Sequence, residues 1–134
     1  MIYLDTSAIV KLVRAEAESG ELVAWLNARD EDTVTSALAE VETVRALRRE
    51  APELLAGVAT VLAQIARFEI DAAVRATAAA YPDPRLRSLD AIHLATADQL
   101  GAAGSAVTAF VTYDKTLGRV ATEAGIPVIR PGSN

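Results

Sequence analysis

The sequence predicts an α/β fold in which a short parallel sheet is covered by helices on both faces. Short apolar segments alternate along the chain with amphipathic segments of helical period. Two of the apolar segments end on an aspartate directly before a predicted helix. The 134 residues, 51% of them hydrophobic, suffice for one domain with a substantial core and are too few for two.

The first half of the chain contains two predicted strands, each followed by a helix. "MIYLD" is typical of a short buried strand, and Thr6 or Ser7 is expected to cap the helix that follows. Ser36 is expected to cap a later helix that stops before Pro52, because proline cannot continue a helix. The predicted elements are a strand at 1–5, helices at 6–16 and 20–30, a strand at 32–36 and a helix at 37–50.

The second half continues the alternation. Pro52 occupies a tolerated first-turn position of a predicted helix. Ser88 is expected to cap a later helix that Gly101 closes, and Pro127 suits only the start of a strand or an edge strand. The predicted elements are helices at 52–68, 72–81 and 89–101, a strand at 106–114, a helix at 115–125 and a strand at 126–131.

Composition excludes several classes of protein. The absence of cysteine excludes disulfides and Cys-based zinc sites, which suits a reducing cytoplasm. A net charge of −5 argues against a protein that coats nucleic acid by bulk electrostatics. It does not exclude an enzyme that binds RNA through a local basic rim around an acidic site. Because the chain has no long apolar run and no basic region before its first strand, we expect a cytoplasmic protein without a signal peptide or membrane span.

Four carboxylates are predicted to share one pocket. Asp5 and Asp114 each close a strand, and the carboxyl ends of parallel strands meet at one edge of a sheet. Asp90 lies in the first turn of a helix, and Glu42 lies in the helix after "TVTS". Because such carboxylates repel one another, a hard divalent cation such as Mg²⁺ or Mn²⁺ is the expected companion. Such a cation can activate water and stabilise charge on a phosphodiester.

Each acid also has a purely structural interpretation. Asp5 and Asp114 could cap the helices that follow them, and Asp90 could complement a helix dipole. Glu42 could be a solvated partner of a nearby arginine. Glu40 competes with Glu42 for the same role, and the apolar periodicity of their helix does not choose between the two.

Four segments of the chain resemble the motifs of a known family. They are "IYLDTSAIVKL" at 2–12, "TSALAEVETVRAL" at 35–47, "LRSLDAIHLATADQLG" at 86–101 and "FVTYDKTL" at 110–117. In this order they resemble the four blocks of PIN-domain ribonucleases and, more narrowly, of VapC-type toxins. The resemblance implies a three-layer α/β/α sandwich around a short, mainly parallel sheet, with residues 1–134 forming a single PIN-like nuclease domain.

The resemblance also implies which residues form the site. Catalysis would rest on Asp5, Glu42, Asp90 and Asp114, and the metal would be held by the three aspartates. Glu42 is favoured over Glu40 because it follows the Ser of its block by six residues. The supporting hydroxyls would be Thr6, Ser36 and Thr112. Flanking RNA phosphates would be bound by Arg45, Arg48, Arg85 and Arg87, although a solvated helix end is the competing interpretation for "RALRRE".

The function that the resemblance implies is a Mg²⁺- or Mn²⁺-dependent endoribonuclease, the toxin of a toxin–antitoxin pair. It implies a VapB-type antitoxin as partner and a homodimer, for which apolar helices at 22–26 and 54–65 are candidate surfaces besides their use in the core. A stand-alone RNA-processing nuclease and an inactive binding module are the alternatives. A receiver-type domain is disfavoured because the first strand ends in a single Asp. His93 lies one turn after Asp90 and could contact the site, but a packed, hydrogen-bonded core residue is the favoured interpretation.

Overall fold

A parallel sheet of five strands forms the centre of the computed structural model, which describes residues 1–133. The strands are β1 (Ile2–Leu4), β2 (Thr33–Ser36), β3 (Ala66–Phe68), β4 (Ala109–Val111) and β5 (Val128–Ile129). Their order across the sheet is β3-β2-β1-β4-β5, and all neighbouring pairs are parallel. This order makes β1 the central strand, with β2 on one side and β4 on the other.

Helices cover both faces of the sheet. Within residues 1–133 they are α1 (Thr6–Val13), α2 (Ser19–Asn27), α3 (Leu38–Glu50), α4 (Val58–Leu62), α5 (Ala72–Ala80), α6 (Ser88–Ala102) and α7 (Lys115–Glu123), with a 3-10 helix at Pro52–Gly57. Residues of α1 to α4 pack on one face, and residues of α6 and α7 pack on the other. The predicted three-layer α/β/α sandwich is therefore confirmed.

The central strand contributes side chains to the hydrophobic cores on both faces of the sheet. Ile2 and Leu4 point to one face and Tyr3 to the other, as the two-residue period of a strand requires. All three residues are buried, because sheet neighbours and helices enclose β1 on every side. Tyr3 pairs in register with Phe110 of β4, and their rings stack with 4.9 Å between centroids. An apolar strand therefore carries Asp5 into the interior at its carboxyl end.

The largest departure from the sequence prediction lies at 52–68, which was expected to be one helix and is not. The segment divides into the 3-10 helix, the short α4 and then β3, which pairs with β2 in the register Val34↔Ala66. The amides of this segment find partners on the open edge of β2, and edge pairing therefore outweighs local helical preference.

Helix starts also differ from prediction. The cap of α1 is Asp5, whose side chain accepts from the N–H of Ala8, and not Thr6 or Ser7. Ser88 is the first residue of α6 and not its cap. Ser36 is likewise not the cap of α3, which is Ala37, although its hydroxyl accepts from the N–H of Leu38 at 3.1 Å.

At the remaining end of the sheet both predicted strands are present but shorter, Ala109–Val111 in place of 106–114 and Val128–Ile129 in place of 126–131. Pro127 directly precedes the edge strand β5, where a missing N–H removes no ladder bond from the centre of the sheet. Within residues 1–133, no helix has the length and apolar character that crossing a membrane requires.

Candidate active site

The candidate site lies at the carboxyl ends of the two central strands. Asp5 follows β1, Thr112 follows β4, and Asp114 caps the helix α7 that comes next. The N–H of Asp5 donates to the carbonyl of Val111 at 3.2 Å, which joins the two strand ends. Because β1 and β4 are sheet neighbours, Asp5 and Thr112 also become direct partners although they are 107 positions apart in the chain.

Asp5 is buried and held by several donors. Its Oδ1 accepts from the Ser7 hydroxyl at 2.6 Å and from the N–H of Ala8 at 3.0 Å. Its Oδ2 accepts from the Thr112 hydroxyl at 2.5 Å. Burial nevertheless raises the pKa of Asp5, against the opposing effects of His93 and these hydrogen bonds. The side chain is thus fixed in one orientation, and Oδ2 keeps lone-pair capacity for a further ligand.

Asp114 and Asp90 approach from two helix starts. Oδ1 of Asp114 accepts from the N–H of Leu117 at 2.8 Å as the cap of α7. Asp90 lies in the first turn of α6. Desolvation, and then the charges of Asp114 and Asp5, raise the pKa of Asp90 from 3.8 to about 6. The acids therefore lie close enough to oppose one another's ionisation.

Glu42 of α3 faces the same site, whereas Glu40 does not. Oε1 of Glu42 accepts from the Thr6 hydroxyl at 2.6 Å and contacts Nε2 of His93 at 2.8 Å. Glu40 is exposed and pairs with Arg67 at 3.3 Å on another side of the helix. The orientation of α3 against α1 and α6 therefore turns Glu42, and not Glu40, toward these side chains.

His93 contacts more of the site than the sequence suggests. It is buried as expected, but Nε2 reaches Glu42 and Thr6, and Nδ1 lies 2.7 Å from the Tyr3 hydroxyl. The available signal was its position one turn after Asp90 on the same helix.

Ser7 is a second residue whose role sequence reasoning missed. Its hydroxyl donates to Asp5 and accepts from the N–H of Tyr113 at 2.9 Å, which ties the start of α1 to the segment after β4. No local pattern indicates this bond, because its two partners are 106 positions apart.

The four acids form a hard, oxygen-only donor set with mutually unfavourable charge. Within residues 1–133 no three acidic or imidazole groups are close enough to ligate one ion directly in this arrangement. Their mutual repulsion raises the pKa of Asp90, and a divalent cation bound in part through water would relieve it. The donor chemistry thus fits Mg²⁺ or Mn²⁺ better than a softer metal.

An open cleft of about 650 Å³ leads to the acids and has a basic rim. Glu42 and Asp114 line it together with Arg45, Arg49 and Arg87. Of the four arginines predicted to contact RNA, Arg45 and Arg87 lie there and Arg48 is not among the lining residues. Arg85 is paired with Asp83 outside the cleft, at 3.3 Å.

Ser36, predicted to be a supporting hydroxyl, forms no hydrogen bond with the four acids within residues 1–133. It is buried at the end of β2, and its hydroxyl accepts from the start of α3. Its contribution is therefore to the position of the helix that carries Glu42.

Comparison with known proteins gives consistent matches over the whole chain. The model of the PIN domain family matches residues 2–123. Ribonuclease VapC35 of Mycobacterium tuberculosis is 56% identical over 133 residues, which cover 98% of each chain.

Solved structures share the fold at lower identity. Mycobacterium tuberculosis VapC20, described as a sarcin–ricin loop cleaving toxin, superposes with a TM-score of 0.77 at 18% identity, covering 98% of this chain and all of the other. A toxin–antitoxin complex from Klebsiella pneumoniae gives 0.71 at 21% identity, with 98% of both chains covered.

Proposed function

Since the chain belongs to the PIN-domain family and is a VapC-type ribonuclease, we propose that it is a metal-dependent endoribonuclease, the toxin of a toxin–antitoxin pair. In this proposal residues 1–134 are a single nuclease domain that inhibits growth by cleaving cellular RNA. The observation that carries this proposal is that Glu42 and Asp114 line a cleft whose rim carries arginines. Asp90 lies close enough to Asp114, Asp5 and Glu42 for their charges to raise its pKa.

The metal would be held by Asp5, Asp90 and Asp114, directly or through water. When bound, Mg²⁺ or Mn²⁺ supplies water activation and neutralises charge on the phosphodiester. Oδ2 of Asp5 has only one protein donor, from Thr112, within residues 1–133, which supports its use as a ligand atom. Asp114 likewise commits Oδ1 to its helix cap and leaves Oδ2 for the cleft.

Glu42 would orient the attacking water. Its pKa supports this role: burial raises it, but the hydrogen bonds from His93 and Thr6 outweigh burial and bring it below 4.5. The carboxylate is thus ionised at neutral pH and can accept a hydrogen bond from water.

RNA would enter along the basic rim. Arg45 and Arg87 line the cleft beside the acids, where guanidinium groups can bind phosphates flanking the scissile bond. Local cations of this kind allow an acidic protein to bind RNA despite a net charge of −5.

The expected partner is a small VapB-type antitoxin, and the expected assembly is a homodimer acting in the cytoplasm. Family membership supports the antitoxin, as does a structural relative that is itself a toxin–antitoxin complex. A stand-alone RNA-processing nuclease is distinguished by the absence of a small upstream reading frame whose product binds this chain.

The deciding experiment maps new 5′ ends in total RNA incubated with the protein and Mg²⁺. The wild type is compared with Glu42→Gln and with Glu40→Gln, which removes the same charge from the exposed side of the same helix. We expect new ends with the wild type and with Glu40→Gln, and none with Glu42→Gln or after EDTA.

Each other result contradicts part of the proposal. Ends that persist with Glu42→Gln and with Asp5→Asn would remove the acidic site, and ends that persist in EDTA would remove the metal. No ends from the wild type would contradict the ribonuclease and favour the inactive binding module.

A further inference from the structure

The hydrogens around His93 can be assigned by counting donors and acceptors. The ionised carboxylate of Glu42 can only accept, and its Oε1 lies 2.8 Å from Nε2 of His93. Thr6 has one hydroxyl hydrogen, which it donates to the same Oε1 at 2.6 Å. Its oxygen can therefore only accept from Nε2, 3.2 Å away. Both neighbours of Nε2 are acceptors, so Nε2 must carry the hydrogen.

The other ring nitrogen faces a hydroxyl that can donate to it. Nδ1 lies 2.7 Å from the hydroxyl of Tyr3, which is fully buried in the central strand. That hydroxyl carries one hydrogen, and donating it to Nδ1 leaves Nε2 as the hydrogen-bearing nitrogen of a neutral ring. The Tyr3 and His93 rings meet edge to face, with 5.8 Å between their centroids, and packing fixes the imidazole.

Both donors to Glu42 reach the same oxygen. Within residues 1–133, Oε1 receives Thr6 and His93, and no protein donor reaches Oε2. Oε1 therefore anchors the carboxylate to the protein, and Oε2 is available to the cleft that Glu42 lines.

We propose that His93 is a positioning residue: as the neutral Nε2–H tautomer, fixed by Tyr3, it anchors Oε1 of Glu42 and leaves Oε2 as the working atom. The catalytic importance of this anchor rests on the function proposed above. The tautomer itself does not, and it can be measured without RNA or metal.

The first test is the tautomer of His93 in the metal-free protein. Because the chain has a single histidine, isotope-labelled histidine gives one pair of ring-nitrogen resonances, and these distinguish the two neutral tautomers from the imidazolium. We expect the Nε2–H form at neutral pH. We also expect Tyr3→Phe, which keeps the ring and removes the hydroxyl, to admit the Nδ1–H form. A wild type in the Nδ1–H or imidazolium form would overturn the proposal.

The second test separates the two ring nitrogens by kinetics. The amide nitrogen of His93→Gln can reach the position of Nε2, whereas the shorter His93→Asn reaches only that of Nδ1. Loss of the anchor should lower kcat of His93→Asn by about 10–100-fold with little change in KM, and His93→Gln should recover most of it. Equal activity of the two variants would overturn the proposal.

Controls keep the outcomes distinct. Thr43→Val removes a buried hydroxyl beside Glu42 that has no hydrogen-bond partner within residues 1–133, so it should retain full activity. If both His93 variants unfold, the wild-type tautomer decides. An inactive wild type with the Nε2–H tautomer contradicts the ribonuclease and supports the anchor, whereas an active wild type with the Nδ1–H tautomer does the reverse.

Discussion

Replacing Asp90 by asparagine should stabilise the metal-free protein, although it removes a charged residue from the proposed active site. The negative charge of Asp90 is unfavourable in the folded chain because of partial burial and the charges of Asp114 and Asp5. The folded protein therefore retains a proton on this carboxyl that the unfolded chain has already lost.

The sign of the pH dependence follows from this difference. Because the pKa of Asp90 is about 6 when folded and 3.8 ordinarily, the folded state binds more protons between these values. The free energy of unfolding consequently falls as pH rises through this window. Below about pH 3 the carboxyl is protonated in both states and contributes nothing, and the cost is complete above about pH 7.

The stability that Asp90→Asn should gain follows from the same two pKa values. A rise from 3.8 to about 6 corresponds to about 3 kcal/mol. Solvent screening of a partly exposed group reduces this figure. Asparagine also forfeits about 0.3–1 kcal/mol of interaction between a first-turn carboxylate and the helix dipole. We expect Asp90→Asn to gain about 1–2 kcal/mol at neutral pH and almost nothing near pH 3.

The assay is denaturant unfolding in EDTA across this pH range, repeated with saturating Mg²⁺. The wild type should gain stability with Mg²⁺, by about 2.7 kcal/mol at a concentration 100 times Kd, and Asp90→Asn should lose most of this gain. Glu21→Gln, a first-turn acid of α2, is the control and should show neither effect. A variant that is less stable than the wild type at neutral pH in EDTA would refute the reasoning.

Three further predictions address the remaining parts of the site and the core. Thr112→Val should lower the free energy of unfolding in urea by about 1–3 kcal/mol, because it leaves Oδ2 of buried Asp5 without its protein donor. The control Thr43→Val should lower it by almost nothing, and equal losses of stability in the two variants would contradict this assignment. Arg87→Ala should raise KM for RNA and lessen the salt dependence of binding by about one phosphate contact. Arg85→Ala, outside the cleft, should change both quantities much less, and a larger effect of Arg85→Ala would contradict RNA binding along this rim. Leu47→Ala should destabilise the fold by about 2–5 kcal/mol in the same unfolding assay, because Leu47 is fully buried between α3 and the sheet, and a loss below 1 kcal/mol would be inconsistent with that packing.

The local sequence pattern was sufficient to predict that the acids at the strand ends lie at one edge of the sheet. Asp5 and Asp114 each terminate a short apolar run directly before a helix, and in a parallel sheet all such ends lie at one edge. The fold class was predictable for the same reason, since alternating strands and helices admit few other arrangements. Asp5 and Asp114 prove to be helix caps as well, so the capping and site interpretations that the sequence sets against each other are compatible in the structure.

Elements that depend on long-range partners were not predictable in this way. The segment "ARF" becomes β3 only because the edge of β2 offers unpaired backbone groups, and nothing within the segment itself indicates this. The contact between Ser7 and the backbone of Tyr113 likewise exists only because β1 and β4 are neighbours.

The sequence by itself determined the α/β class, the acids at the strand ends and the chemistry of an oxygen-donor site. Tertiary structure alone decided the orientation of α3 and of the imidazole. Glu40 and Glu42 are equally compatible with the period of their helix, and only packing of α3 against α1 and α6 turns Glu42 toward Thr6 and His93. The physical reason is that helical period fixes which residues share a face, whereas the direction of that face depends on neighbours distant in the chain.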